Sequence, residues 1–478
     1  MVDTEKVTAI SFLKSVTKFS ISTWFGFFIG VISVSLTTRI FTPEINGILN
    51  IFNSTVQIFI SIVLLGMGSV VARFFYEPPK GWSVQQLFTR CMFISIAFLI
   101  ICSSFCLTSL TDSICFQLFQ TNSIIIKIMF VLSALSTMVL VNFLSQYYRY
   151  SNNIYQFNIQ QIFIQFFNKL FVIVAAFVNP NIEVVLIFNA FGMFVLMLCY
   201  ITYQRKEVIS WKKGGWLDGD IIPLYRFALF SWPSEMLLYC SDFVLPFLVT
   251  SLLGAWSMGI YSSANFFVSA FIVLQGGFRT YWSAFMYKHY KDESNKIIKI
   301  HSYVFLGVIV LMSVAILFQH IAYMLIGESF HESRLFFTLV LIQPLLLLLE
   351  QTTSYGISLS KKNEQGMVIC LFSLLVNIFS IYFWVRIYGL LGAAIGVSFT
   401  AVIRFLLMTW RGQIYYKSIR SKSETILGLL ILLCLAASNV VFYDQYWREL
   451  IVVLFTLCIT AWVYRCSIRE VFDMFIKS

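Results

Sequence analysis

The chain has 478 residues, of which 59% are hydrophobic, 18% aromatic and only 12% charged, and its net charge is +11. Soluble domains carry about 25% charged residues, so this composition excludes an ordinary soluble protein and predicts an integral membrane protein. The ten Cys and four His show neither C-x-x-C nor H-E-x-x-H spacing, and no metal site is expected. Membrane topology accounts for the excess of positive charge, so no nucleic-acid partner is expected.

Apolar segments long enough to cross a hydrocarbon core of about 30 Å, each of about 20 residues, recur along the whole chain. They are too long for barrel strands and show no alternation of polar and apolar residues, so they predict helices. The expected fold is all-α, with about fourteen transmembrane helices. Their predicted ranges are 19–41, 46–68, 91–110, 122–145, 156–178, 182–204, 227–249, 258–279, 300–322, 335–358, 366–386, 389–411, 424–443 and 449–466.

The basic residues predict the orientation of these helices. With the N-terminus on the cytoplasmic side, 27 of the 33 Lys and Arg lie in cytoplasmic loops or at cytoplasmic helix ends. Five lie at or near the outer side, and Lys169 lies within a helix. A bias of this size predicts that both termini are cytoplasmic. The N-terminal stretch MVDTEKVTAISFLK has no cleavable signal pattern, so no processing is expected.

The segments at 46–68 and 258–279 begin with matching sequence. GILNIFNSTVQIFI from Gly47 and GIYSSANFFVSAFI from Gly259 share the pattern G-I-x4-N-x2-V-x2-F-I at an offset of 212 residues. The match predicts two six-helix lobes in the same orientation, a repeat that transporters use to place a substrate path between the two halves. The expected divisions are a first lobe, a basic cytoplasmic linker, a second lobe and an appended helix pair, at 1–204, 205–226, 227–411 and 412–478.

Polar side chains recur at helical spacing within several predicted helices. Such stripes indicate either a hydrated cavity or hydrogen bonds between packed helices, because an isolated polar group in hydrocarbon is costly. Amides and hydroxyls both donate and accept, which suits a hydroxyl-rich ligand such as a sugar. The stripes predict a substrate path that includes Asn50, Asn53, Gln57, Gln161, Gln165, Lys169, Tyr239 and Asn265.

Three carboxylates, Glu235, Asp242 and Glu350, also lie inside predicted helices. At about 1.5 Å per residue, Asp242 lies at the depth of Lys169, with which it could form an ion pair, and Glu235 lies at the depth of Glu350. Two carboxylates in a low dielectric hold one proton between them and would couple transport to a proton or sodium gradient. Alternatively, each carboxylate has its own structural partner. Pro233 is expected to kink its helix.

Three stretches resemble the polysaccharide transporter family of the multidrug/oligosaccharidyl-lipid/polysaccharide (MOP) flippase superfamily, to which O-antigen flippases belong. They are GMGSVVARFFYE from Gly66, GIYSSANFF from Gly259 with the following Gly276, Gly277 and Arg279, and GLLGAAIGVSFTAVIR from Gly389. The resemblance covers the whole length. It implies a flippase that moves a polyprenyl-diphosphate-linked oligosaccharide repeat unit to the outer leaflet by alternating access, for O-antigen, lipopolysaccharide, capsule or other surface polysaccharide biosynthesis.

The lumen of this family is typically cationic and matches an anionic diphosphate. The resemblance therefore adds Arg73 and Arg279 to Lys169 as candidate cations, although topology alone also places positive charge at the inner ends of helices, where both arginines lie. It implies a bacterial inner membrane location, no cofactor, no enzymatic activity, and partners among polysaccharide polymerases and chain-length machinery.

Two alternative functions stay open from the sequence. A drug or cation antiporter of the same superfamily would use Glu235 and Asp242 to bind its cation. A membrane polymerase or glycosyltransferase is less favoured, because the outer loops, such as TPEIN and GESFHES, are short. The P-loop pattern G-x-x-x-x-G-K-[ST] is missing from the sequence, so direct ATP drive is not expected.

Overall fold

The computed structural model describes residues 9–120, 123–151, 153–208, 222–290, 294–360 and 362–470. Every regular element in these ranges is helical. The α-helices are α1 (Ala9–Ile40), α2 (Pro43–Val63), α3 (Met67–Phe74), α4 (Val84–Cys106), α5 (Asp112–Phe119), α6 (Ile124–Thr137), α7 (Ser145–Tyr150), α8 (Ile154–Val178), α9 (Ile182–Val208), α10 (Ile222–Leu253), α11 (Ala255–His289), α12 (Ser294–Tyr323), α13 (Phe337–Thr353), α14 (Tyr355–Leu359), α15 (Asn363–Tyr415), α16 (Lys422–Phe442) and α17 (Tyr446–Val463).

Twelve helices of the described chain are long and apolar enough to cross a membrane, or 13 if Glu328–Leu335 and α13, which meet at 63°, form one bent span. The 53-residue α15 has non-helical backbone angles at Gly389. At about 1.5 Å per residue it is more than twice as long as a hydrocarbon core is thick. Its first arm precedes Gly389 and its second arm follows it, and counting the two arms as separate spans raises the number of spans from 13 to 14. The prediction of an all-α integral membrane protein is confirmed.

Several predicted helices differ from the observed ones in detail. The predicted helix at 46–68 is interrupted after Val63, and α3 begins only at Met67. The predicted helix at 122–145 contains a π-helical segment, Met138–Leu144, between α6 and α7. The α10 helix continues through Pro233 and Pro246, and the kink expected at Pro233 stays a prediction.

The chain divides into two compact units as far as it is described. The first unit comprises Ser22–Gly259, and the second comprises Ile260–Ser478 together with Met1–Ile21. The α10 helix, which the sequence repeat assigns to the second lobe, therefore belongs by its contacts to the first unit. The division of the chain at 205–226 stays a prediction.

The core of the first unit packs aromatic rings from several helices against one another. Phe52 of α2 meets Phe130 of α6 edge to face, with the ring centroids 5.9 Å apart. Phe88 of α4 meets Phe143 of the π-helical segment at 5.8 Å in the same geometry. Edge-to-face pairs add to the free energy gained by burying the rings. These contacts hold α2 by its apolar face.

Gly47 and Gly259, which the sequence repeat aligns, lie at one close crossing within the first unit. A Cβ atom built on Gly47 would lie 1.8 Å from the carbonyl oxygen of Ala255, and one built on Gly259 would lie 1.7 Å from that of Pro43. The backbones of α2 and the start of α11 therefore touch, a kind of contact that only small residues allow between membrane helices. The shared G-I pattern thus includes a packing requirement.

We predict that Gly47→Ala and Gly259→Ala each lower the free energy of unfolding by about 1–3 kcal/mol, because the added methyl group must displace backbone. Gly30→Ala is the matched control, because a Cβ atom at Gly30 would meet nothing within 4 Å. Thermal unfolding of the purified protein in detergent measures the effect. A melting temperature as high for the two crossing variants as for Gly30→Ala would contradict the close crossing.

Candidate functional site

The α2 helix exposes its polar face and buries its apolar face. Asn53 and Gln57 are exposed and Asn50 is half-buried, whereas Ile51 and Phe52 are buried in the core of the first unit. In a membrane span, an amide that faces hydrocarbon without a hydrogen-bond partner costs several kcal/mol. The exposed face of α2 is therefore suited to water or to a polar ligand rather than to lipid.

The membrane span formed by α2 ends at Val63, and residues 64–66 separate it from the short helix α3. Leu65 and Gly66 have left-handed backbone angles, with φ values of 49° and 72°. A Cβ atom at Gly66 would lie 2.5 Å from the carbonyl oxygen of Ala228 in α10, so the break requires glycine at this position. The end of one helix and the start of the next leave backbone groups without partners in either helix.

Side chains from neighbouring helices satisfy carbonyl groups at this break. The indole Nε1 of Trp232 in α10 donates a hydrogen bond to the carbonyl oxygen of Ser61 at 2.9 Å. The hydroxyl of Ser95 in α4 donates to the carbonyl oxygen of Leu64 at 3.4 Å. Irregular backbone is tolerated at membrane depth only where it is enclosed by protein or lines a water-filled cavity.

The α10 helix brings predicted site residues to the same break. The Ser69 hydroxyl in α3 donates a hydrogen bond to the Glu235 carboxylate. Tyr239 follows one turn later on α10 and is half-buried, and Asp242 is exposed. A carboxylate, a phenol and the interrupted backbone therefore occupy one region of the first unit.

Arg73 lies at the C-terminal end of α3, one turn beyond Ser69. Its guanidinium forms an ion pair with Glu77 at 3.1 Å, and both side chains are more than half exposed. Exposed ion pairs of this spacing contribute little to stability, about 0.3–0.5 kcal/mol. Arg73 can therefore exchange Glu77 for an anionic ligand at small cost.

The polar stripe of α8 is partly used for packing. The Ser22 hydroxyl in α1 donates to the side-chain oxygen of Asn158 at 2.9 Å. A Cβ atom at Gly26 would lie 1.5 Å from Oε1 of Gln165, so α1 packs directly on this part of the stripe. Gln161 and Lys169 are half-buried on the same helix. The stripe thus combines interhelical contact with partly accessible polar groups.

The ion pair considered between Lys169 and Asp242 is not formed in this structure. Within the described residues, the ion pairs include none that involves Lys169. The two side chains were matched by their depth in the membrane, but depth says nothing about the direction in which each helix presents its side chain. Lys169 is therefore a half-buried residue whose ammonium group has no carboxylate partner among the described residues.

In the second unit, Glu350 of α13 pairs with Arg404 of α15 through two hydrogen bonds. Arg404 Nε lies 3.1 Å from Oε2 and Nη2 lies 3.2 Å from Oε1. The Glu350 side chain is 7% exposed and that of Arg404 is 29% exposed. Glu350 therefore has a structural partner of its own, as Glu235 has in Ser69. Sequence analysis counted Arg404 among the cytoplasmic charges and missed the pair.

The remaining predicted path residues lie on α11. Asn265 is half-buried, and Arg279 is exposed further along the same helix. The described residues contain no group of three or more His, Cys, Asp or Glu side chains that could hold a metal ion. The polar chemistry of the described chain is therefore that of amides, hydroxyls and a few charged groups.

Comparison with known proteins identifies relatives by structure only. Protein-family models give no match to the chain, and neither do curated protein sequences. The lipid II flippase MurJ in an inward closed conformation aligns with 95% of this chain and 99% of its own, with a TM-score of 0.67 and 13% identity. The MATE multidrug transporter DinF-BH aligns with 86% of this chain and 97% of its own, with a TM-score of 0.59 and 13% identity.

An inward-facing MATE transporter of the MOP superfamily aligns with 84% of this chain and 94% of its own, with a TM-score of 0.56 and 16% identity. This chain has the fold of these transporters. At such low identities the likeness extends to the fold alone. Membership of the polysaccharide transporter family and of the MOP superfamily stays a prediction.

Sequence analysis identified the polar stripe of α2 but not the break that ends the helix. The pattern LLGMG at 64–68 contains two glycines, a signal for an interruption. Trp232 and Ser95 were also missed, because an indole or a single hydroxyl in an apolar segment is usual. Only the fold shows that both donate hydrogen bonds to carbonyl oxygens beside the break.

We predict that Arg404→Gln lowers the free energy of unfolding by about 3–5 kcal/mol, because it leaves the buried carboxylate of Glu350 unpaired. Adding Glu350→Gln to this variant should restore part of the lost free energy of unfolding. Thermal unfolding in detergent of the two single variants and the double variant gives the coupling free energy. Arg411→Gln on the same helix is the control, since Arg411 stacks on Trp410 and forms no ion pair with the residues that the structure describes. Strictly additive effects would contradict the pairing.

Proposed function

We propose that this protein is a flippase for a polyprenyl-diphosphate-linked oligosaccharide repeat unit, which it carries from the cytoplasmic to the outer leaflet by alternating access. The product would serve the biosynthesis of O-antigen, capsule or another surface polysaccharide. The observation that carries the proposal is the exposed amide face of α2 within a membrane span. The similarity in fold to a lipid II flippase supports it.

The exposed face suits the head group of such a lipid. Sugars present hydroxyls that both donate and accept hydrogen bonds, and the amides of Asn50, Asn53 and Gln57 do the same. Unaided transfer of these groups through hydrocarbon leaves every polar group unsatisfied. A polar groove lets the head group cross while the polyprenyl tail stays in the bilayer. The proposed transport breaks no covalent bond, so the protein would act as a transporter and not as an enzyme.

Cations are needed for the diphosphate, and this chain supplies three candidates. Lys169 is half-buried in α8 and forms no ion pair within the described residues, so its charge is available to a phosphate oxygen. Arg73 and Arg279 are exposed and would contact the diphosphate nearer the predicted cytoplasmic side. Gln161, Gln165, Tyr239 and Asn265 would complete the path.

The driving force would be an ion gradient. Glu235 lies beside the broken helix, where its carboxylate already accepts a hydrogen bond from Ser69. Binding and release of a proton or a sodium ion at Glu235 or Asp242 would change the charge on α10 next to the interrupted backbone. We place the protein in a bacterial inner membrane with both termini cytoplasmic, near a polysaccharide polymerase and chain-length machinery.

The flippase proposal predicts that deleting the gene leaves complete lipid-linked repeat units on the cytoplasmic face and removes the surface polymer. A double variant, Asn53→Leu/Gln57→Leu, should restore transport at least about tenfold less well than the unaltered protein, because each lost hydrogen bond costs about 1 kcal/mol or more. Leaflet-specific labelling of the lipid-linked sugar measures both effects.

Ser104→Leu/Thr202→Leu is the matched control. Both hydroxyls are exposed on membrane helices and donate to carbonyl oxygens of their own helices, Ser104 to Ile101 and Thr202 to Cys199. The control variant should restore transport fully. Normal surface polymer and no accumulation in the deletion strain, with no second transporter present, would overturn the proposal.

A drug or cation antiporter is the second candidate function, favoured by the fold likeness to MATE multidrug transporters.

For a gradient-driven flippase, Glu235→Gln/Asp242→Asn should abolish the stimulation of flipping by an applied proton or sodium gradient in proteoliposomes. Glu183→Gln, in the first turn of α9, is the control. Full stimulation of the double variant would exclude these carboxylates from coupling, and gradient-driven dye export without flipping would establish the antiporter.

A further inference from the structure

A groove of about 550 Å³ lies in the second unit between the second arm of α15 and α16. Its walls are mainly apolar, with Leu406, Trp410 and Ile414 from α15 and Ile426 and Leu429 from α16. Trp410 is 56% exposed and Ile426 is 55% exposed, so neither side chain is covered by protein. In a membrane, an apolar groove of this kind is open to lipid chains.

Basic residues lie at one end of the groove. Lys417 and Arg420 belong to the loop that joins the two helices, and Lys422 is the first residue of α16. The distribution of Lys and Arg along the chain predicts that this loop is cytoplasmic. The groove therefore combines apolar walls at membrane depth with positive charge at the predicted cytoplasmic surface.

One of the three cations has a carboxylate partner within the protein. Arg420 forms an ion pair with Glu470 at 3.6 Å, and Glu470 also accepts a hydrogen bond from the Tyr303 hydroxyl at 2.7 Å. That hydrogen bond and the neighbouring cations Lys299 and Arg420 hold the pKa of Glu470 below its usual range, so the carboxylate stays ionised at neutral pH. Because Glu470 also pairs with Lys299 at 3.3 Å, it offsets only part of the charge of Arg420.

The other two cations are not offset by a carboxylate partner among the described residues. Lys417 and Lys422 are both exposed, and within the described residues the ion pairs include neither of them. The end of the groove therefore carries a net positive charge. An anionic group between them would gain about 1 kcal/mol of attraction for each lysine.

The polar side chains in the walls already have partners. The hydroxyl of Thr409 forms a hydrogen bond with that of Thr353 at 2.7 Å, and the hydroxyl of Thr425 forms one with a ring nitrogen of His301 at 3.1 Å. Gln413 donates to the Ser418 hydroxyl at 2.7 Å. The walls of the groove therefore have few unused hydrogen-bonding groups for the hydroxyls of a sugar. Its apolar walls and two lysines instead match a lipid-like molecule with an anionic head group.

We propose that this groove binds an anionic phospholipid of the bilayer. One acyl chain lies along the apolar walls, and the phosphate group lies between Lys417 and Lys422. The bound lipid connects the second arm of α15 to α16 on the surface of the second unit. This inference is independent of which molecule the protein transports.

Native mass spectrometry of the purified full-length protein in detergent tests the site. Phosphatidylglycerol should bind more tightly than zwitterionic phosphatidylcholine. Lys417→Gln/Lys422→Gln should weaken phosphatidylglycerol binding about 25-fold, or about fivefold for each lysine, and leave phosphatidylcholine binding unchanged. Arg205→Gln/Lys206→Gln, which removes two exposed cations from the last turn of α9, is the charge-matched control and should have no effect.

A second pair of variants tests the groove itself. Ile426→Trp fills the groove from α16 and should reduce phosphatidylglycerol binding, whereas Leu427→Trp places the same ring beside it, since Leu427 does not line the groove. Thermal unfolding without added lipid should be the same for both. Equal binding of phosphatidylglycerol by both tryptophan variants would overturn the proposal. So would an equal loss of binding in the Arg205 and Lys206 control, or displacement of phosphatidylglycerol by a polyprenyl diphosphate at equimolar concentration.

Discussion

The hydrogen bonds that satisfy the broken backbone at residues 64–66 are the interaction on which the first unit depends. A free carbonyl in a membrane costs several kcal/mol, so donors from other helices favour the break. Trp232 donates to the carbonyl of Ser61, Ser95 adds a second donor to the carbonyl of Leu64, which also accepts the backbone N–H of Met67, and α10 approaches so closely that only glycine fits at position 66. The same approach brings Glu235 to Ser69. Packing and the position of a candidate coupling carboxylate thus have one physical cause.

Polar side chains inside the membrane spans fall into two classes once the fold is known. Some are used within the protein, such as the pair of Glu350 with Arg404, or Gln319, which donates to Glu449 at 2.8 Å and 3.0 Å. Others, above all Asn53 and Gln57, lie exposed on a helix whose apolar side is buried. The first class holds helices together, and the second class can serve a substrate. Helical spacing alone does not separate them.

The helix pair α16 and α17 is attached to the rest of the second unit by buried polar contacts at both of its ends. His301 of α12 contacts Thr425 near one end, and Gln319 of the same helix contacts Glu449 near the other. Contacts of this kind orient α16 and α17 in a way that non-directional apolar packing does not. They leave the apolar surface between α15 and α16 open to the membrane, where a lipid rather than protein can occupy it.

The sequence by itself determined the class of the protein and nearly all of its membrane spans, because the hydrophobic length of a segment is a local property. It also identified the polar face of α2, since helical periodicity assigns residues to faces. Only the tertiary structure decided the break at Gly66, whose backbone angles depend on the carbonyl of Ala228 in another helix. It alone paired Glu350 with Arg404 and left Lys169 without Asp242. Depth along a helix can be counted in residues, but the rotation of each helix about its axis is set by packing against the others.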